Sequence, residues 1–172
     1  MRFLPLLIAL AITLFASPKE ITSFNGKFVQ SIIDDNGKKI LYSGELWASK
    51  PQNALWKYQK PIQKSVYINA QKITVIEPSI EQVTLRTFDD EIDFLQIVQK
   101  AKKVGDDKYV ATVKGETYTI LFKNDLLSSI SYTDGFDNKV SIVFTNPSQN
   151  QPIDAAKFKP IIPADYDVIK DR

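Results

Sequence analysis

Strand-length segments of alternating polarity, separated by turn residues, dominate this sequence from residue 24 to residue 145. Phe24, Gly26, Phe28, Gln30 and Ile32 fall on one parity, and the run stops at Asp35-Asn36-Gly37. Asn and Gly tolerate positive φ, so that tripeptide favours a hairpin. Ile40, Tyr42, Gly44, Leu46 and Ala48 share one face of the next segment, with Leu41, Ser43, Glu45 and Trp47 on the other, until Pro51. Ala54, Trp56 and Tyr58 then alternate with Leu55 and Lys57 up to Pro61. Shorter runs at 65–69, 72–77, 81–86, 108–113, 117–123, 126–133 and 139–145 follow the same pattern, with Lys114-Gly115, Asn124-Asp125 and Asp134-Gly135 at their turns. A two-residue period belongs to strands and a 3.6-residue period to helices. About ten short strands at regular spacing predict a mainly β chain, a sandwich or barrel made by one large antiparallel sheet curled on itself.

One segment departs from the pattern. Thr87-Phe88-Asp89-Asp90 offers N-cap residues, and 91–103 contains no Gly or Pro. Phe94, Ile97, Val98 and Ala101 recur at helical spacing, Gly105 closes the run, and Lys100, Lys102 and Lys103 complement a helix C-terminus. The spacing predicts a helix over 91–103. A second short helix is expected at 18–24 or just before it, and a single helical turn at 154–158.

Residues 1–16 read as a secretory signal: Arg2 supplies the positive start, and Phe3 to Ala16 is apolar apart from Pro5 and Thr13. That run is shorter than the roughly 20 residues a membrane span needs. Cleavage is expected near Ala16, leaving residues 17–172 as one exported domain with a core of ordinary size. The chain has 0 Cys, so it stands on packing without disulfides and carries no cysteine that could be acylated.

Charge and chemistry exclude several classes. Lys+Arg number 22 against 20 Asp+Glu, and the only arginines beyond the leader are Arg86 and Arg172. Nucleic acid requires clustered cations, so it is not an expected partner. With 0 His and 0 Cys, the commonest general base, the thiolate nucleophile and most zinc ligands are missing. No phosphate loop or nucleophile elbow occurs. The acids Asp89, Asp90, Glu91 and Asp93 are accounted for by a helix start, and Glu45 and the lysines Lys57, Lys60 and Lys64 by solvated strand positions. No enzyme, metal or cofactor is expected. What remains is the aromatic load of the first strands: Phe24, Phe28, Tyr42, Trp47, Trp56 and Tyr58. It fits a packed core, or an apolar cavity in a half-closed barrel with a helix as lid. Periodicity alone does not separate the two.

Four landmarks carry a resemblance that does. Ser23-Phe24-Asn25-Gly26-Lys27-Phe28-Val29-Gln30 resembles the S-F-x-x-x-F-x-Q opening of the periplasmic lipoprotein carriers, the LolA family. Gly44-Glu45-Leu46-Trp47, then Lys50-Pro51 and Trp56, is similar to that family's G-[DE]-L-W-x-K-R-P-x-x-F-x-W. Glu81-Gln82-Val83-Thr84 resembles its E-Q-[AV]-T segment, and Ile153-Asp154-Ala155-Ala156-Lys157-Phe158 its [VI]-D-A-A-K-F tail. The chain departs from the pattern at Lys50 (Arg in the family), at Ala54 (an aromatic) and at Thr74 and Ile76 (an aromatic pair), and the stretch after Thr84 is shorter.

The resemblance implies an unclosed, strongly curved antiparallel half-barrel with a few short helices as lid, and a hydrophobic cavity for lipoprotein acyl chains. It implies a monomeric periplasmic carrier that takes lipoproteins from an inner-membrane ABC transporter and passes them to an outer-membrane acceptor or to the outer membrane itself. A lipid- or lipoprotein-sensing domain of the same fold, regulating a partner, is the alternative. Strand parity places Phe28, Tyr42, Leu46, Trp56 and Tyr58 on the cargo-facing surface and Trp47 outside. Phe94, Ile97 and Val98 are expected on the underside of the lid. Lys50 stands where the resemblance implies a latch to the lid carbonyls, and Ala54, Thr74 and Ile76 are expected to weaken or reshape the pocket.

Overall fold

The computed structural model describes residues 20–87 and 94–171. Twelve strands form one sheet in the order β12-β6-β5-β4-β3-β2-β1-β11-β10-β9-β8-β7. They are β1 (Ser23–Ile33), β2 (Lys39–Ser49), β3 (Asn53–Lys60), β4 (Lys64–Asn69), β5 (Lys72–Glu77), β6 (Gln82–Thr87), β7 (Lys102–Gly105), β8 (Lys108–Val113), β9 (Glu116–Lys123), β10 (Leu126–Thr133), β11 (Lys139–Gln149) and β12 (Asp167–Asp171). The two ends of the order, β12 and β7, do not pair with each other, so the sheet curls without closing. Among the described residues one α-helix, α1 (Phe94–Lys100), lies against β2 and β8 on its concave side.

Alternation decides the faces. Phe28 stands opposite Gly44 and Phe144, Leu46 opposite Trp56, and Ile130 opposite Ile142. These positions, with Phe24, Ala48, Ala54, Ile120 and Leu127, turn inward and form one core with α1. The intervening Lys27, Val29 and Lys57 are exposed. Phe28, Tyr42, Leu46, Trp56 and Tyr58 share this inward face.

The opposite face carries a second layer. Leu55 stands opposite Trp47 and Tyr67, Tyr67 opposite Thr74, and Ile76 opposite Val83. Leu55, Thr74, Ile76 and Val83 are all buried there. A 3-10 turn, Ala155–Phe158, packs on β3 and β4 with Phe158 buried. The Asp154 side chain caps this turn by accepting from the Ala156 N–H at 2.9 Å, and Lys157 Nζ lies 4.5 Å from the centre of the Trp47 ring. Trp47 is thus outside the barrel. Thr74 and Ile76 are outside as well, which corrects the expectation that they shape the pocket: the register places them on the other side of the sheet.

The helix is shorter than periodicity implies. It ends at Lys100, and Lys102–Gly105 forms an edge strand that folds back on β8 through Asp106-Asp107, with Asp107 at φ 54°. Lys102 and Lys103 therefore leave the helix, and Gly105, read as the end of the helix, ends an edge strand at the turn to β8. Ser23 and Phe24 begin β1 directly, so no helix reaches 20–24. Strand β12 runs parallel to β6 and has no alternating apolar signal of its own. Residues 1–19 and 88–93, which hold the expected signal and the acids at the start of the expected helix, lie outside the described residues.

Gly44 is required by close approach. A Cβ there would overlap the Lys57 carbonyl oxygen at the bulge where β2 meets β3, and would come within 3.0 Å of the Phe28 ring. Gly44→Ala is expected to lower the urea unfolding free energy by about 1–3 kcal/mol, the usual cost of overpacking. Gly135→Ala, where a Cβ meets nothing within 4 Å, should leave the midpoint unchanged.

Candidate functional site

The first three strands and the helix bring their rings together on the concave face. Phe144 meets Phe24 at 4.9 Å between ring centres, Phe24 meets Phe94 at 5.5 Å, and Phe94 meets Trp56 at 5.8 Å. Phe28 then bridges Trp56 and Tyr58, each at 5.2 Å, and Tyr58 meets Tyr42 at 5.8 Å. Most of these contacts are edge-to-face, the geometry that the ring quadrupole favours. At the far end Lys64 Nζ sits 4.8 Å from the Tyr58 ring centre.

Helix α1 presents two stripes to this surface. Leu95 and Val98 are completely buried, whereas Phe94 and Ile97 keep slight exposure. That exposure is to a hollow of about 350 Å³ between the helix and the sheet, lined by Trp56, Ile68, Phe94, Ile97, Tyr118, Ile130, Tyr132 and Ile142, with the carboxylates of Glu116 and Asp134. The lining is mainly apolar. A hollow of about 380 Å³ on the opposite face is lined largely by hydroxyls, including Ser31, Thr119, Ser131 and Ser141, and offers no comparable apolar surface. Of the residues assigned from sequence, Trp56, Phe94 and Ile97 line the cavity. Phe28, Tyr42 and Tyr58 extend its aromatic wall toward Lys64. Leu46 and Val98 are core residues sealed beneath it. The far wall from β4, β9, β10 and β11 was missed, although Tyr118, Ile130 and Tyr132 alternate with Thr117, Thr119, Ser129 and Ser131 in a readable pattern.

The polar groups here are paired and stay neutral or stay charged. The Tyr58 hydroxyl donates to Gln30 Oε1 at 3.1 Å, and burial, helped by Tyr132 and Tyr42, pushes its pKa up to about 12. The Tyr118 hydroxyl donates to Glu116 Oε2 at 2.6 Å and is also pushed up, by burial first. Asp134 is held below the usual carboxylate range, chiefly by the Asn138 side chain. Among the described residues no group of His, Cys, Asp or Glu could hold a metal.

Among the described residues Lys50 meets the segment before β1 and not α1. Its Nζ lies 2.7 Å from Glu20 Oε1, and its backbone N–H donates to the Thr22 carbonyl at 2.9 Å. The Lys50 ammonium holds the exposed Glu20 carboxyl below its ordinary range. The helix is tied instead by Gln99, whose Nε2 donates to the Ile21 carbonyl at 3.1 Å. Lys50 thus grips the segment that receives the helix, and Gln99 makes the tie.

Comparison with known proteins decides the family. Residues 19–114 match the family described as outer membrane lipoprotein carrier protein LolA. An outer-membrane lipoprotein carrier protein of Wolinella succinogenes is 32% identical over 171 residues, covering 99% of each chain.

The chain belongs to the LolA family.

A carrier of the same description from Campylobacter jejuni is 35% identical over 157 residues, covering 91% of this chain and 92% of its own. A crystal structure of an uncharacterised conserved protein from Thermus thermophilus shares the fold, with a TM-score of 0.55 over 87% of this chain and 91% of that one at 11% identity.

In this LolA-family chain, Gln99→Ala should weaken the closed position of α1 by about 0.5–1.5 kcal/mol, the net worth of one hydrogen bond. Hydrogen exchange of the α1 amides measures it: exchange should accelerate at 94–100 and remain unchanged in β1 and β11.

Proposed function

We propose that this chain is a periplasmic carrier for the acyl chains of lipoproteins, working without catalysis or cofactor. It collects its cargo from an inner-membrane ABC transporter and yields it to the outer membrane or an acceptor there. The mature form is residues 17–172, acting as a monomer. The observation that carries this reading is the apolar hollow between α1 and the aromatic concave face of a sheet that does not close.

Each acyl CH₂ exposed to water costs about 0.8 kcal/mol, so a lipoprotein with several chains needs a shield to leave one membrane for another. A cavity of about 350 Å³ lies at the small end of the range for ligand pockets. Several acyl chains therefore require α1 to swing away. That motion breaks no strand pairing, because α1 belongs to no ladder and the sheet has free ends. It separates Phe94 from Phe24, Trp56 and Phe144, and it breaks the Gln99 bond. Acyl chains then replace the ring contacts that the helix gives up. Gain and loss are of the same kind, which keeps affinity moderate and lets the cargo leave. Lys50 contributes indirectly, by fixing the Glu20–Thr22 segment against which the helix closes.

The two tryptophans test the reading, since Trp56 lines the hollow and Trp47 lies under Lys157 outside. In a Trp47→Phe variant, an acylated peptide should shift the emission of Trp56. In a Trp56→Phe variant, Trp47 emission should not respond. The response should be flat from about pH 6 to 9, because the raised tyrosines remain protonated there and the lowered Asp134 remains ionised. An unresponsive Trp56 would mean that the concave face is a packed core.

A further inference from the structure

The two ends of the sheet differ in a way that the carrier function alone does not require. Alternate turns of an antiparallel sheet lie at the same end. The turns closed by the pairs Ile33 with Lys39, Tyr58 with Lys64, Glu77 with Gln82, Val113 with Glu116 and Thr133 with Lys139 therefore gather at one end. Three of them present a large apolar side chain to solvent: Phe136 at 86% exposure, Ile80 at 59% and Ile62 at 49%. Among the described residues the turns of the other end, at 50–52, 70–71, 106–107 and 124–125, hold none themselves, though Val104 and Leu126 are exposed in the strands beside two of them.

The turn itself does not demand Phe136. In the neighbouring β1–β2 turn, Asp34 Oδ1 accepts from the N–H groups of Asn36 and Lys38 at 3.0 and 2.8 Å. In the β10–β11 turn, Asp134 Oδ1 accepts from Phe136 and Asn138 at 2.9 and 3.0 Å. The backbone bonds match too: Asp34 with Lys38 and Gly37, Asp134 with Asn138 and Asp137. One geometry holds Asn at its tip in one turn and Phe in the other. The hollow reaches this end on the β8 to β11 side, where Asp134 heads the Phe136 turn, Glu116 follows the β8–β9 turn and both line it, while Ile68 lines it toward the other end.

We propose that this end docks on a lipid bilayer, with Phe136, Ile80 and Ile62 entering the headgroup layer around the cavity mouth. The inference rests on the carrier reading and deepens it by naming the surface met where cargo passes. A bilayer fits better than a protein. The three tips sit on separate turns among Lys60, Lys64, Glu77, Glu81, Asp137 and Lys139, whereas a protein interface needs a contiguous core from which charge is depleted. The headgroup layer accepts apolar side chains one at a time. Charges of both signs surround the tips, so attachment depends on apolar burial and not on anionic lipid.

Flotation of the mature chain with phosphatidylethanolamine/phosphatidylglycerol vesicles tests the inference. Phe136→Asn copies the neighbouring turn and should reduce the bound fraction about tenfold, the effect of withdrawing one buried aromatic ring. Adding Asn36→Phe should restore binding, whereas Gln71→Phe at the opposite end should not. Wild-type binding should persist at about 1 M salt, where the Debye length is about 3 Å. The Trp56 response to acylated peptide should be the same in every variant, so its absence would count against the cavity and not against docking. Wild-type chain that stays off the vesicles, or equal flotation of wild type and a Phe136→Asn/Ile80→Ser variant, would overturn the inference. Attachment only to outer-membrane vesicles, and lost when these are treated with protease, would assign the tips to a protein and overturn it as well.

Discussion

Helix α1 (Phe94–Lys100) meets the concave side of a twelve-stranded sheet without filling it, and a hollow of about 350 Å³ remains between them. Most other features of this LolA-family chain follow from that mismatch. Leu95 and Val98 seal against the core, and Phe94 wedges between Phe24, Trp56 and Phe144. The inward side chains of β4, β9, β10 and β11 pack in the core, and Ile68, Tyr118, Ile130 and Ile142 also border the hollow. An interior of native density would leave voids scarcely larger than a water molecule. Here the hollow is instead bordered by apolar surface from both the helix and the sheet.

The same mismatch moves stability elsewhere. Phe24, Phe28, Leu46, Ile120 and Leu127 are buried in the core that the sheet shares with the helix. The tail from residue 150 covers the outer face of β3 to β6, where Leu55, Ile76, Val83 and Phe158 are buried. The outer layer and the concave core that holds the helix are thus built from different residues.

The near half of this arrangement was legible in the sequence because β1, β2 and β3 alternate cleanly. Phe28, Tyr42, Leu46, Trp56 and Tyr58 could be assigned inward from parity alone. What parity does not reveal is depth: Leu46 is sealed in the core while Trp56, in the same row, borders the hollow. The far wall escaped notice because Ser and Thr, not charges, occupy the outward positions beside Tyr118, Ile130 and Tyr132. Register misled at Thr74 and Ile76, which a comparison of residue types places in the pocket and which strand pairing with Tyr67 and Val83 places outside. Lys50 was matched to the right position, but its charge is met by Glu20, a contact between segments thirty residues apart that no local pattern shows. The helix was overextended because Lys102, Lys103 and Val104 are compatible with either state, and pairing with β8 decides between them.

Ile68 and Tyr67 are neighbours on β4 that face opposite sides of the sheet, the first into the hollow and the second toward the outer layer. A photo-reactive phenylalanine analogue in place of one or the other, irradiated in intact cells and followed by mass spectrometry of the adducts, tests the central claim. The account predicts acylated lipoprotein cross-linked through its lipid at position 68 and not at position 67. Equal adducts at both positions, or none at 68, would contradict it.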